Sequence, residues 1–353
     1  MTRCDQYQIE RGYCGVTILK TTNHDNFLSK QTTNHIKGVL VCMVIISHLS
    51  GRVQLFSNSI FGTIFGACGY LAVSMFFFLS GYGLYEQYSK NPESYVRRFP
   101  GKKILPYYAM CCAVIVIYLI RDLAVGAVSW PQLVQSFFVG DTIVDNGWYL
   151  QTQLVLYLIF YLSFRILKSK GLWLTLSASV LYCAVCAAAG LPEFWYEAVF
   201  CFVFGAFVSK NKHRIVPLLQ GKIRTVLLLG GIGVAFVITL LLGNKAILPT
   251  AARIVVKMVS TICFSSAVVL AVSLVKTENP VTAFLGQHSF EMYVLQGLFL
   301  WGYRPVIQND WLYILAVSCS TFIAALIAKP AFSLLSKAVA VDIDHAAETG
   351  QAR

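Results

Sequence analysis

Charge is what this chain has least of. Only 12% of its 353 residues are Asp, Glu, Lys or Arg, and acids are the scarcer sign, 16 against 28 Lys and Arg. A soluble domain of this length carries about twice that share of charge, so a water-facing globular enzyme is excluded. Sequence signatures of soluble nucleotide and hydrolase chemistry are missing as well: there is no GxxxxGK[ST], no GxGxxG, no HExxH and no GxSxG. Cysteine is not scarce, at eleven, but most of it lies inside apolar runs. The one CxxC, Cys183 and Cys186, has Tyr, Ala and Val around it. These cysteines read as small hydrophobes, and no metal site is expected. The first thirty-five residues lack the compact apolar core and cleavage site of a secretory signal and read as a cytosolic N-terminal tail.

What is abundant is apolar length. Hydrophobic residues make up 57% of the chain and the mean hydropathy is +0.66. Ten runs approach the ~17–25 residues that cross a bilayer as a helix: 36–55, 61–82, 104–120, 148–167, 172–190, 195–208, 225–242, 254–275, 284–301 and 312–328. The expected fold is therefore an all-α polytopic transmembrane bundle of about ten helices. It is divided into a tail (1–35), a transmembrane domain (36–330) and a C-terminal tail (331–353). The net charge of +12 does not point to nucleic acid, because its placement follows the membrane. With the N-terminus cytosolic, 22 of the 28 Lys and Arg fall on the inside and 6 outside. The positive-inside rule then places both termini in the cytosol of a multi-pass cell-membrane protein.

Ionisable groups inside such spans are costly and mark function. His48 interrupts "IKGVLVCMVIISHLSG", residues 36–51. It follows Lys37 by eleven positions, about 16 Å along a helix and close to three full turns, so the two share one face. "SMFFFLSGYGLYEQY", residues 74–88, ends a span with Ser80, Gly81 and Gly83, small residues suited to close helix packing. "YVRRFPGKKILPYY", residues 95–108, gathers Arg97, Arg98, Lys102 and Lys103 at a span entrance. That cluster can anchor topology, contact anionic lipid or bind phosphates. "NGWYLQTQ" places Gln151 and Gln153 one turn into the fourth span, facing either a cavity or a neighbouring helix. "LGQHSFEMYVLQG", residues 285–297, carries Glu291 and Gln296. A buried carboxylate there must be protonated, paired or wetted, and one role open to it is orienting His48.

Taken together these stretches resemble the acyltransferase 3 family of integral membrane O-acyltransferases. "IKGVLVCMVIISH" is similar to the family's opening helix, a basic residue followed after ten others by histidine, with Lys37 where Arg is commoner. "FFFLSGYGL" resembles its second-span ending and "RRFPGKKILPYY" its basic stretch, although a clean RxxR is absent. In "LGQHSFEMYVLQ" Gln296 stands where relatives usually have His, and in "WYLQTQ" Gln153 stands where many have Glu. The likeness runs from about residue 36 to 330.

The resemblance implies an acyl-CoA, foremost acetyl-CoA, as cytosolic donor substrate, with no permanently bound cofactor. It implies a hydroxyl of a surface polysaccharide or lipid-linked sugar as acceptor. On this reading Lys37, Arg97, Arg98, Lys102 and Lys103 hold the donor's phosphates. His48 acts as general base, with Glu291 as a second catalytic group. The alternative is a transporter or polysaccharide flippase in which His48 and Glu291 relay protons. No inverted repeat of broken helices supports that alternative.

Overall fold

The computed structural model describes residues 27–56, 59–140, 142–243, 248–275 and 279–340. Most of the N-terminal tail, the stretch 341–353 and the cations Lys245 and Lys276 lie outside them. The described residues form fourteen α-helices and no strand. In chain order they are α1 (Lys30–Ser50), α2 (Ile60–Lys90), α3 (Pro92–Phe99), α4 (Leu105–Val125), α5 (Trp130–Gln135), α6 (Trp148–Leu167) and α7 (Gly171–Ala188). There follow α8 (Phe200–Lys210), α9 (Lys212–Leu218), α10 (Lys222–Gly243), α11 (Thr250–Leu274), α12 (Pro280–Gln287), α13 (Ser289–Tyr303) and α14 (Asp310–Val339).

Seven helical stretches are long and apolar enough to cross a membrane: 30–50, 61–90, 92–125, 148–188, 222–243, 250–274 and 310–339. The stretch 148–188 comprises two helices, α6 and α7, which turn at residues 168–170 and pack on each other. Two of the ten expected spans are not single crossing-length helices. Span 195–208 yields only the 11-residue α8, preceded by irregular chain, and span 284–301 is broken at His288 into α12 and α13. Apolarity over a window carries no information on whether the backbone is continuous. At the other extreme α14 continues to Val339, past the expected end of the domain.

Helices α1 and α2 run antiparallel. Ser47 Oγ donates to the carbonyl of Gly66, and at the other end the Tyr82 hydroxyl donates to the carbonyl of Phe27. This defines a basic end, where α1 begins and α2 ends, and an opposite end. Two pairs of glycines let backbones touch. A Cβ on Gly81 would collide with the Phe202 carbonyl and one on Gly205 with the Phe78 carbonyl, so α2 and α8 pack main chain to main chain. Gly38 and Gly286 do the same for α1 and α12. Close approach at small residues is how helices gain contact where no water drives them together.

The core is aromatic, with Phe77, Phe78, Phe99, Tyr118, Phe160, Phe202 and Tyr313 buried. Helix α10 lies at the edge on α11, with Thr225 and Gly243 as its buried residues and an apolar outer surface suited to lipid. Between α3 and α4 the chain widens into one π-helical turn, Pro100–Ile104. Pro106 has no N–H to give the carbonyl of Lys102 four residues before it, and Leu105 bonds instead to Pro100, five back.

Candidate active site

His48 sits in the last turn of α1, half-buried at the opposite end. Its Nδ1 lies 3.1 Å from Oε1 of Gln296 on α13. Gln296 is fully buried, and its Nε2 donates to the carbonyl of Tyr293 one turn earlier, at 3.0 Å. His48 also lines a cavity of about 660 Å³ with Ser47, Tyr70, Asp145, Trp148, Glu197 and Tyr293 among its walls. The cavity combines aromatic faces with a few polar groups, the usual composition of a small-molecule site.

One wall of this cavity is the segment before α6, held by a polar clamp. Arg121, at the end of α4, donates to Asp122 Oδ1 and Asp145 Oδ2, each at 2.7 Å, and to the Ile143 carbonyl at 3.3 Å. Burial pushes the Asp145 carboxyl above its ordinary value, against the opposing pull of Arg121. The Tyr293 hydroxyl donates to the Asn146 carbonyl at 3.0 Å. Gly297 leaves no room for a side chain between Tyr118 and Asp145. The residue beside Gln296 therefore packs directly on the clamped segment.

The other flank is ionic. Glu193 receives Arg253 at 2.8 Å and Lys257 at 2.7 Å. Burial alone would raise the Glu193 carboxyl, but the hydrogen bonds from these two cations outweigh it and hold it low. Lys257 also lies 3.5 Å from Glu197 Oε2, an ion pair without hydrogen-bond geometry.

Lys37 opens into a second cavity, of about 530 Å³, at the basic end. Around it stand Ser80, Gln153, Glu291, Lys329 and a set of tyrosines. Glu291 is buried and paired with Lys329, whose Nζ is 3.3 Å from Oε1 and also bonds the Gln287 carbonyl. Gln153 donates to Ser80 Oγ at 3.0 Å. Lys30, Lys103 and Lys329 are close enough to repel the charge of Lys37, so cations are concentrated at this mouth. A third hollow, of about 430 Å³, is lined by Tyr95, Arg98, Lys102 and Lys103. Arg97 is exposed and stands outside that lining.

The structure thus brings His48 together with Gln296, and Lys37 with Glu291 and Lys329. It does not bring Glu291 to His48: the two line different cavities, and the group on the imidazole is Gln296. Of the expected donor residues, Lys37 is set apart from Arg98 and Lys102, and Lys103 stands between them. Of the three small residues expected at close helix contacts, Gly81 packs on the Phe202 carbonyl, Ser80 lines the cavity and accepts from Gln153, and a Cβ on Gly83 would meet open space. Gln151 bonds the backbone of Gly140 and does not line either cavity.

The sequence alone does not mark Tyr293 or the Arg121–Asp145 clamp. Arg121 and Asp122 at a span end in so acid-poor a chain are the available signal. Tyr293 borders both cavities, and its ring centroid lies 4.9 Å from that of Tyr149, which lines the basic-end one. No group of three or more His, Cys, Asp or Glu able to hold a metal occurs among the described residues.

Fold and site define a class: a polytopic helical membrane protein in which one helix carries a cation at one cavity and an imidazole at another. Residues 33–329 match the acyltransferase 3 family, described as an acyltransferase domain, and the chain belongs to that family. It is a membrane acyltransferase by that membership. No curated protein and no solved structure matches the chain.

Proposed function

We propose that this acyltransferase moves an acyl group, foremost acetyl, from cytosolic acyl-CoA to a hydroxyl on a glycan or lipid-linked sugar at the far membrane face. The observation that carries the proposal is the placement of Lys37 and His48. They lie on one helix, in cavities at opposite ends of the bundle that share Tyr293 as a wall. The anionic phosphates of the donor stop at the basic end, where Lys37, Lys103, Arg98 and Lys102 supply positive charge, with Arg97 on the outer approach. The thin pantetheine arm enters the cavity of Lys37 and carries the thioester toward Tyr293. The acceptor enters from the cavity of His48. The 22-to-6 division of cations supports a cytosolic basic end and cytosolic termini in the cell membrane.

In the reaction His48 takes the proton of the acceptor hydroxyl as that oxygen attacks the thioester carbonyl. The carbon–sulfur bond then breaks, and the CoA thiolate leaves and takes up the proton, giving an ester and free CoA. Removal from water favours the neutral form of an imidazole, the form that accepts a proton. Glu291 neutralises Lys329 beside the donor path and acts there rather than on His48.

The experiment uses purified protein in vesicles, radiolabelled acetyl-CoA at the basic end and a membrane-glycan fraction as acceptor. His48→Gln and His48→Ala should insert and bind acetyl-CoA, yet lose roughly 10²–10⁴-fold in transfer, the usual contribution of a positioned base. Near-wild-type transfer by a stable His48→Gln protein would overturn the assignment.

A further inference from the structure

We infer that Gln296 is a positioning residue that fixes the tautomer of His48, placing the hydrogen on Nδ1 and leaving Nε2 as the atom that takes the acceptor's proton. A neutral imidazole carries its hydrogen on one of two nitrogens, and the partner of one decides which. That partner is Gln296 Oε1, 3.1 Å from Nδ1.

A side-chain amide can be turned end for end, so its orientation must be fixed by something else. Here it is fixed by Tyr293. The Gln296 nitrogen donates to the Tyr293 carbonyl at 3.0 Å. Turning the amide would set oxygen against carbonyl oxygen within a fully buried site, where an unmade hydrogen bond is expensive. The amide oxygen is therefore held toward His48, and an oxygen can only accept. Nδ1 must donate. Among the described residues Nε2 has no hydrogen-bond partner, and the ring borders the 660 Å³ cavity, so its lone pair is available there.

Gln296 is itself anchored. It lies between Tyr293, whose hydroxyl holds Asn146, and Gly297, packed on Tyr118 and Asp145. The clamp that shapes the cavity wall and the amide that sets the base are thus joined through α13, where Tyr293 and Gly297 meet the clamped segment. A carboxylate in the place of Gln296 would also accept from Nδ1–H but would add a charge. The amide orients the ring without bringing a second ion into the apolar interior.

The tautomer stands independently of the reaction, while its catalytic meaning rests on the acyl transfer proposed above. The test is nitrogen NMR of the full chain in lipid bilayers, with ring-¹⁵N-labelled histidine at mildly alkaline pH. The signal of His48, one of six histidines, is the one that disappears in His48→Gln. In the wild type Nδ1 should give the protonated and Nε2 the unprotonated type of resonance. Gln296→Leu should abolish the Nδ1–H preference and lower kcat about tenfold or more, with KM for acetyl-CoA little changed. Gln296→Glu, nearly the same shape, keeps an acceptor toward Nδ1 but sets its second oxygen against the Tyr293 carbonyl unless that oxygen carries the acid proton, so it should keep the Nδ1–H form at a cost in stability. A wild-type ring protonated on Nε2, or a Gln296→Leu protein with an unchanged tautomer, overturns the inference. The stated tautomer in a protein that transfers no acetyl group supports the assignment and removes acyl transfer instead.

Discussion

Lys37 and His48 share a helix and are about 16 Å apart along it, and their surroundings separate their tasks. Lys37 sits near Lys30 and Lys103, with Lys329 already paired to Glu291, so a local excess of positive charge remains that an anion relieves. Lys37→Ala should therefore raise KM for acetyl-CoA by roughly tenfold, the order of one charge-assisted contact, and leave kcat near wild type. Added salt should narrow the difference between the two proteins, because it screens the same attraction. A kinetic titration at two ionic strengths decides this, and a kcat loss at constant KM would contradict it. The spacing of these two residues was legible in the sequence because helix geometry converts eleven positions into a shared face. The partner of His48 was not. Glu291 and Gln296 lie five residues apart on one span, and nothing in their order says which meets α1. The answer depends on the break at His288, which sets where α13 starts and how it is rotated.

At the scale of elements, α2 and α8 show which glycines are structural. Gly81 and Gly205 have a facing carbonyl where a Cβ would go, whereas nothing lies within 4 Å of that position at Gly83. Gly81→Ala and Gly205→Ala should each lower the unfolding midpoint in detergent, by an amount corresponding to about 1–3 kcal/mol. Gly83→Ala should be neutral or slightly stabilising, since alanine is the better helix former by about 1 kcal/mol. Thermal unfolding of the three variants side by side tests the assignment, and an equal loss at Gly83 would contradict it. The apolar runs announced most helices well, because length and hydropathy alone select α1, α2, α4, α6, α7, α10, α11 and α14. They overstated α8, where an apolar stretch packed inside protein has the same composition as one that crosses lipid. They also gave no sign of the π turn at Pro100–Ile104, which depends on the two prolines flanking "GKKIL" and aims Lys102 and Lys103.

At the scale of the molecule, the two cavities make the bundle hollow from both ends, with Tyr293 and Tyr149 between them. A membrane that stores energy as an ion gradient does not tolerate a continuous thread of water across it. On the proposed reaction the ring pair, 4.9 Å between centroids, has a second task as the electrical seal between the two cavities. The transfer proposed above needs the thioester to reach past this contact, while apolar ring faces oppose the passage of ions. Tyr293→Ala should open the seal. Liposomes holding that variant and a pH-sensitive dye should equilibrate an imposed pH step measurably faster than wild-type liposomes, while an unchanged rate would show that the seal lies elsewhere. On the proposed reaction the enzyme joins two aqueous compartments chemically and must not short-circuit them, an electrical duty that this aromatic contact is placed to carry.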